Sequence, residues 1–269
     1  MRIALAQFAA TTDPAQNLAV VLEQIGRATA AAASVIVFPE AMSCSFARPR
    51  IDAAEPLDGP WASAVRAAAA KAGITVIVGT FTPGLSGHVR NTLLVTGPGI
   101  EASYDKLHLF DALGYRESDQ IEPGDELVVC DLDGVRLGLA TCYDVRFPEQ
   151  FKALAQLGAE VIVVPSSWAP GERKVEQWRT RVTARALDST SIVVGLGQAL
   201  PPADGSSEPG ARRPTGVGHS IVAGPLGEIL LELGPDPELA VIDLDPAVVA
   251  AARVALPVLT TSRFTNSLS

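Results

Sequence analysis

The sequence predicts an α/β fold whose sheets are mixed rather than wholly parallel. Short runs of β-branched and apolar residues alternate with amphipathic segments through the first two thirds of the chain, as is typical of alternating strands and helices. Turn signals at 97–99 and at 133–134 indicate hairpins beside the helical crossovers. Because no repeat or linker divides the chain, we expect residues 1–269 to form a single domain.

The first half of the chain alternates regularly between the two kinds of element. Strands are predicted over 3–8, 35–38, 74–81, 91–95 and 102–105. A helix is predicted over 13–33, because Asp13 is a suitable cap and Pro14 then takes the first helical position, where its missing N–H has no effect. A second helix is predicted over 61–72, and Gly73 ends it.

The second half begins with a hairpin and is predicted to end mainly in strands. The predicted strands cover 127–132, 135–141, 161–164, 192–196, 220–223, 228–233 and 239–244. Amphipathic helices are predicted over 148–158 and 175–186. Residues 201–216 are rich in proline, glycine, serine and charge, and they predict a long exposed loop of the kind that is often functional.

Composition and charge exclude several classes of function. The net charge is −9, whereas nucleic-acid binding needs a basic surface, so no nucleic-acid partner is expected. No apolar run reaches the ~18 residues of a membrane span, so no membrane association is expected. The three cysteines and three histidines are scattered, which suits neither disulfides nor a metal site, and we predict no metal and no cofactor. Reduced thiols indicate a cytoplasmic protein.

Cys142 is the strongest candidate for chemistry. It follows the predicted strand 135–141, and Pro148 begins a helix soon after it. A turn between these elements can present the sulfur to a substrate and direct the backbone N–H of Tyr143 at a developing oxyanion. Taken alone, the residue is equally well explained as a small apolar core residue, which is what most free cysteines are.

Three charged residues are candidate partners for this thiol. Glu40 follows the predicted strand 35–38 and can take the thiol proton, although a carboxylate at a strand end is often only a solvated loop residue. Of the four lysines, Lys106 alone follows a strand among aromatic and apolar residues. A cation there would lower the thiol pKa and stabilise an oxyanion, although most lysines lie at the surface. Glu117 alone would be interpreted as a loop residue.

Three segments in chain order resemble the nitrilase superfamily of carbon–nitrogen hydrolases. They are Phe38-Pro-Glu40, Lys106-Leu-His-Leu-Phe-Asp111 and Cys142-Tyr-Asp-Val-Arg-Phe-Pro-Glu149, and the tail segment 218–227 is also similar. The resemblance implies a four-layer α-β-β-α sandwich with Glu40 as general base, Lys106 as oxyanion stabiliser and Cys142 as nucleophile. It also implies that Glu117 helps to orient the substrate and that the protein is a homodimer or a larger homo-oligomer.

The residues after the cysteine narrow the expected reaction. Cys142, Tyr143 and Asp144 resemble the amidase branch, which includes omega-amidases and deaminated glutathione amidase, whereas true nitrilases tend to have Cys-Trp-Glu. The expected reaction partner is a small-molecule amide, cleaved to the carboxylic acid and ammonia through a cysteine thioester. Two rivals stay open: an N-carbamoyl amide hydrolase, which would also release carbon dioxide, and a binding protein that kept the fold and lost activity.

Arginines near the cysteine suggest that the substrate carries a carboxylate. Arg146 lies four residues after the nucleophile, and Arg173 and Arg179 follow the next strand. A guanidinium binds a carboxylate through two parallel hydrogen bonds. A structural ion pair of Arg146, for instance with Glu149, is an equal alternative. The loops expected to shape the pocket are 44–57, 166–172 and 201–216.

Overall fold

Two six-stranded mixed sheets form the centre of the molecule in a computed structural model that describes residues 1–85, 87–201 and 214–263. The strands of this part of the chain are β1 Arg2–Gln7, β2 Val35–Val37, β3 Thr75–Pro83, β4 Val89–Gly97, β5 Ile100–Asp105, β6 Asp111–Ala112, β7 Tyr115–Arg116, β8 Val129–Leu132, β9 Val135–Leu139, β10 Val161–Ser166, β11 Ile192–Gly197, β12 Ile221–Ala223, β13 Ile229–Glu232 and β14 Glu238–Asp243. The sheets have the strand orders β14-β1-β2-β3-β4-β5 and β13-β12-β11-β10-β9-β8, and β6 pairs with β7 alone.

The helices of the described residues connect or follow these strands. They are α1 Pro14–Ala30, α2 Pro60–Ala72, α3 Pro148–Gln156, α4 Lys174–Ser189, α5 Ala247–Ala255 and α6 Val258–Thr261. The first three begin at a proline, whose fixed φ suits the first helical turn. The carboxylate of Asp13 caps α1 by accepting a hydrogen bond from the N–H of Ala15 at 2.9 Å. None of these helices is long and apolar enough to span a membrane.

The alternation of side chains along β1 explains how the layers are built. Ile3 lies in a core that also contains Val163 of β10, so the two sheets pack face to face. Its neighbour Ala4 points the other way, into a core that contains Val21 of α1. A third core joins β10 and β11 to α3 and α4. The order of layers is therefore helix, sheet, sheet, helix, and the predicted four-layer α-β-β-α sandwich is confirmed.

The predicted strands agree with the observed ones to within about two residues, but the end of the chain differs. The last third was expected to consist mainly of strands, whereas α5 and α6 follow β14. Residues 247–255 consist of five alanines, three valines and one arginine, and the β-branched valines favour a strand while the alanines favour a helix. Residues 202–213 of the predicted loop lie outside the described residues. That residues 1–269 form one domain stays a prediction.

Strand ends bring the candidate residues together. Glu40 follows β2, Lys106 follows β5 and Cys142 follows β9. β1, β2 and β3 are parallel, and β5 runs in the same direction because two antiparallel pairings separate it from β3. β9, β10 and β11 are parallel in the facing sheet. The site is therefore assembled from carboxyl ends of strands in both sheets.

Candidate active site

Glu40 is buried, with 1% of its surface exposed, and both carboxylate oxygens accept hydrogen bonds. Oε1 accepts from Nζ of Lys106 at 2.9 Å and from Nδ2 of Asn91 at 2.8 Å. Oε2 accepts from the backbone N–H of Ser167, just after β10, at 2.7 Å. The backbone carbonyl of Glu40 accepts a hydrogen bond from Nε2 of Gln198, just after β11, at 2.8 Å. Donors from both sheets thus fix the direction of this carboxylate.

Gly79 of β3 allows the turn at Glu40 to lie against the sheet. A Cβ atom at this position would be 2.6 Å from the backbone nitrogen of Ala41, far inside van der Waals contact. Ala41 itself adopts φ +57°, in the left-handed region. The backbone around Glu40 is therefore held in an uncommon conformation by close packing as well as by hydrogen bonds.

Lys106 joins two buried glutamates. Its Nζ lies 2.9 Å from Oε1 of Glu40 and 2.9 Å from each carboxylate oxygen of Glu117. The backbone N–H of Phe110 donates to Oε2 of Glu117 at 2.6 Å. Burial alone would lower the pKa of the Lys106 ammonium, but Glu117 and Glu40 raise it well above its ordinary value. Lys106 is therefore a permanent cation between two carboxylates.

Cys142 begins a 3₁₀ helix, Cys142–Arg146, that follows β9. It adopts φ +49°, a left-handed conformation that cysteine rarely takes and that is enriched at functional sites. Burial, and then the charge of Glu40, raise the pKa of its thiol well above the ordinary value, and Lys106 opposes them without reversing the shift. Lys106 therefore lowers the thiol pKa as expected, but burial and Glu40 outweigh it and the net shift is upward. A base beside the sulfur would assist removal of the thiol proton.

Asp144 ties the cysteine segment to the lysine segment. Its buried carboxylate accepts a hydrogen bond from the hydroxyl of Tyr104 at 2.6 Å and from the backbone N–H of His108 at 3.0 Å. Nδ1 of His108 lies 2.8 Å from the same carboxylate. Tyr104 and His108 flank Lys106 in the chain, and Asp144 follows Cys142 by two residues. This one carboxylate therefore sets the distance between the two segments.

A small cavity lies between these segments. Cys142 and Glu40 line its base, and its walls are aromatic: Phe46, Phe110, Tyr143 and Trp168. Tyr143 is the second residue of the 3₁₀ helix, so its backbone N–H has no acceptor within that helix. A small pocket with this aromatic lining suits a small substrate with an apolar body.

Two cations lie on the cavity wall against Trp168. The guanidinium of Arg146 is 5.1 Å from its ring centroid, and Nζ of Lys174 is 5.4 Å away. Within the described ranges neither cation forms an ion pair, so the alternative of a structural pair between Arg146 and Glu149 is not found there. Burial, and then Arg146, lower the pKa of Lys174. This end of the pocket is positively charged and suits an anionic group.

The structure separates the arginines that the sequence grouped together. Arg146 lines the cavity, whereas Arg179 pairs with Glu232 at 3.0 Å and Arg173 lines a separate groove on α4. Lys174, the first residue of α4, takes the place in the pocket that those two arginines were expected to fill. The sequence offered one signal for it, its position just after a predicted pocket loop.

All three predicted loops reach the cavity through described residues. Phe46 comes from loop 44–57, Trp168 from loop 166–172 and Pro214 from loop 201–216. No group of three or more His, Cys, Asp or Glu residues in the described ranges could hold a metal ion. That the protein needs neither a metal nor a cofactor stays a prediction.

A four-layer sandwich with a buried cysteine beside a glutamate–lysine–glutamate cluster is the architecture of hydrolases that act on carbon–nitrogen bonds. The family model of carbon-nitrogen hydrolases matches residues 2–254. The chain belongs to the carbon–nitrogen hydrolase family, and the resemblance to the nitrilase superfamily is confirmed.

Named relatives and a solved structure agree with this membership. A Mycobacterium tuberculosis protein named Hydrolase Rv0480c is 51% identical over 265 residues, covering 96% of this chain and 94% of that protein. The deaminated glutathione amidase of Escherichia coli O157:H7 is 32% identical over 272 residues, 98% of each chain. An amidase from Nesterenkonia sp. AN1 is 28% identical with a TM-score of 0.79, covering 98% of this chain and 94% of that one. That structure is of a glutamate-to-glutamine mutant and shows covalent addition of the acetamide moiety of fluoroacetamide at the active site cysteine.

Proposed function

We propose that this protein is an amidase that hydrolyses a small linear amide to the carboxylic acid and ammonia through a thioester on Cys142. The observation that carries the proposal is the ion cluster of Glu40, Lys106 and Glu117, which lines the same small cavity as a cysteine in a left-handed conformation. The relatives named as amidases support the same reaction class.

The first half of the reaction forms the acyl-enzyme. The sulfur of Cys142 attacks the amide carbonyl carbon while Glu40 takes the thiol proton, which the raised thiol pKa makes necessary. The carbonyl oxygen becomes an oxyanion, and the Lys106 ammonium and the backbone N–H of Tyr143 stabilise it. The carbon–nitrogen bond then breaks. Glu40 returns the proton to the departing nitrogen. Ammonia then leaves the site, and the acyl group remains bound to the sulfur as a thioester.

The second half restores the thiol. A water molecule attacks the thioester carbon, and Glu40 takes one of its protons. The carbon–sulfur bond breaks, the carboxylic acid leaves, and the proton returns to the sulfur of Cys142. Glu117 orients Lys106 through two contacts of 2.9 Å and in this way holds the cation between base and substrate.

The test of this proposal is a product analysis on purified protein. A series of small amides is expected to yield ammonia and the corresponding acid in equal amounts. Rapid acid quenching is expected to trap protein heavier by one acyl group, located on the peptide that contains Cys142. Carbon dioxide released together with ammonia from N-carbamoyl compounds would instead identify the carbamoyl hydrolase. Binding without any product would identify the inactive binding protein.

We further propose that the preferred amide carries a carboxylate away from the scissile bond, as in a dicarboxylic acid monoamide. Arg146 and Lys174 support this, because both line the cavity and both lack an acidic partner among the described residues. A charged substrate group would pair with cations that are already partly desolvated, where such pairs are strong.

Arg146→Lys is expected to raise KM for a four-carbon dicarboxylic acid monoamide about tenfold, because lysine cannot make the two-pronged contact. Turnover of the neutral amide of the same chain length should change by less than about twofold. Arg179→Lys is the matched control, since Arg179 pairs with Glu232 outside the cavity. This variant should leave KM and turnover unchanged for both amides. A wild-type preference for neutral amides would contradict the carboxylate proposal.

We also propose that the protein is a cytoplasmic homodimer or larger homo-oligomer. The three cysteines, Cys44, Cys130 and Cys142, are all free, which supports a reducing compartment. Leu157 at the end of α3 and Leu187 of α4 are 52% and 42% exposed on one outer layer. A second copy packed on these helices would cover that apolar surface.

A further inference from the structure

Asn91 of β4 is a fourth polar residue in the buried cluster, and it is 1% exposed. Its Nδ2 donates hydrogen bonds to Oε1 of Glu40 at 2.8 Å and to Oε1 of Glu117 at 3.3 Å. Nζ of Lys106 lies 2.9 Å from each of the same two oxygens. The amide and the ammonium therefore bridge the two glutamates from two sides.

Only one orientation of this amide suits its surroundings. As placed, both N–H bonds have a carboxylate acceptor, and Oδ1 has no partner among the described residues. In the reverse orientation Oδ1 would face two carboxylate oxygens, and the two N–H bonds would lose their acceptors. Burying an amide oxygen without a hydrogen-bond partner costs free energy. The hydrogen bonds that Asn91 donates to Glu40 and Glu117 offset this cost.

The cluster needs these donors because its charges do not balance. Two carboxylates and one ammonium leave an excess negative charge on side chains that are almost fully buried. Hydrogen bonds to a carboxylate favour its ionised form. The charged or titratable groups around Glu40 are Lys106, Glu117, Cys142 and Tyr115, with Arg50 behind Tyr115. Apart from Lys106, none of these groups is a cation in contact with the two carboxylates.

We propose that Asn91 is a positioning residue for the general base: by donating to both glutamates it holds the Glu40 carboxylate beside Cys142 and stabilises its negative charge. The catalytic meaning of this inference rests on the proposed function. The backbone of Asn91 has a separate part, because its carbonyl accepts the N–H of Lys106 at 2.9 Å whichever side chain stands at this position. A substitution therefore tests the amide group and leaves that bond in place.

Asn91→Leu keeps the branched shape and the number of heavy atoms of the side chain and removes both donors. Losing a hydrogen bond to a charged group is expected to lower kcat/KM about 10- to 100-fold at neutral pH. The midpoint of the acidic limb of kcat/KM should move up by about one pH unit, because that limb reports the base of the free enzyme. Asn91→Thr suits a strand and keeps one O–H donor, so it should fold and shift the limb less. An unmoved limb in both variants would overturn the proposal.

Infrared spectroscopy of the free protein gives a readout that does not depend on catalysis. A protonated carboxyl group absorbs at a different infrared frequency from a carboxylate. The carboxyl band that disappears in the Glu40→Gln variant is therefore the band of Glu40. As the pH is lowered, this band should appear at a pH about one unit higher in Asn91→Leu than in the wild type. If the wild type cleaves no amide, the proposed function fails while this measurement still tests Asn91. A band that appears at the same pH in both proteins would refute the role of Asn91.

Thr92→Val is the matched control, because Thr92 is the next residue of β4 and is also 1% exposed. Its hydroxyl donates to Oδ1 of Asp105 at 2.6 Å and lies 2.8 Å from Oγ1 of Thr82, outside the glutamate cluster. The variant is expected to lower the melting temperature. It should move neither the midpoint of the acidic limb of kcat/KM nor the pH at which the infrared band of Glu40 appears. If it moves them as much as Asn91→Leu does, the effect belongs to the strand as a whole and the proposal is wrong.

Discussion

Replacing Cys142 by alanine is expected to abolish amide hydrolysis while leaving the protein folded. Without the sulfur no thioester forms, and the loss of a nucleophile from a site that works as a unit costs about four orders of magnitude or more in kcat. Alanine also fits the space and meets the same left-handed φ of +49° with no more strain than cysteine does. The melting temperature should therefore stay within a few degrees of the wild-type value.

Cys130→Ala is the control for this experiment. Cys130 lies in β8, is free and partly buried, and does not line the cavity, so its loss should leave turnover unchanged. Both variants are assayed for ammonia release, and their folding is checked by thermal melts. More than a few per cent of wild-type activity in pure Cys142→Ala would contradict the thioester mechanism.

Much of the fold was predictable because the central strands of its sheets are buried on both faces. Runs such as those of β2 and β10 contain little except valine and isoleucine, a pattern that identifies a buried strand without reference to the rest of the chain. Pro14 and Pro148 fixed two helix starts for an equally local reason. The helix α5 was not predicted, because its three valines favour a strand while its alanines favour a helix.

The candidate site was predictable where a reactive residue ends a strand. Glu40, Lys106 and Cys142 were found for that reason, and the structure brings Glu40 and Lys106 into contact at 2.9 Å. Asn91 was missed because it lies inside a strand and nothing in the neighbouring sequence distinguishes it. Lys174, which begins a helix, was missed because its position after a predicted pocket loop was its one signal. Their importance arises from contacts between segments far apart in the chain.

The electrostatic character of the thiol also depends on such long-range contacts. From the sequence, a lysine near Cys142 indicated a lowered thiol pKa, because the depth of burial and the direction of Glu40 were unknown. In the folded protein Lys106 does lower the thiol pKa, but burial is the largest influence and Glu40 adds to it, so the net shift is upward. A base is the group that helps such a thiol to lose its proton, and this makes Glu40 the residue to test.

Glu40→Gln and Lys106→Met are each expected to lower kcat/KM by about three orders of magnitude. Glutamine keeps the shape of Glu40 but cannot take the thiol proton. Methionine keeps the length of Lys106 but leaves two buried carboxylates without their ammonium, since both lie 2.9 Å from Nζ. That variant should also lose about 3–5 kcal/mol of stability, because it leaves uncompensated buried charge. Lys71→Met, at an exposed position on α2, is the control and should change neither activity nor melting temperature.

The double variant decides whether Glu40 and Lys106 act as one unit. If the base and the cation serve the same transition state, Glu40→Gln together with Lys106→Met should be little slower than the worse single variant, far from the product of the two losses. The second substitution should even restore part of the stability lost in Lys106→Met, because removing the charge of Glu40 leaves Glu117 as the one uncompensated carboxylate of the cluster. Steady-state kinetics and denaturant unfolding of the four proteins measure both couplings. Single losses below about tenfold, or losses that simply multiply, would mean that the two residues do not share the step in which Cys142 is activated.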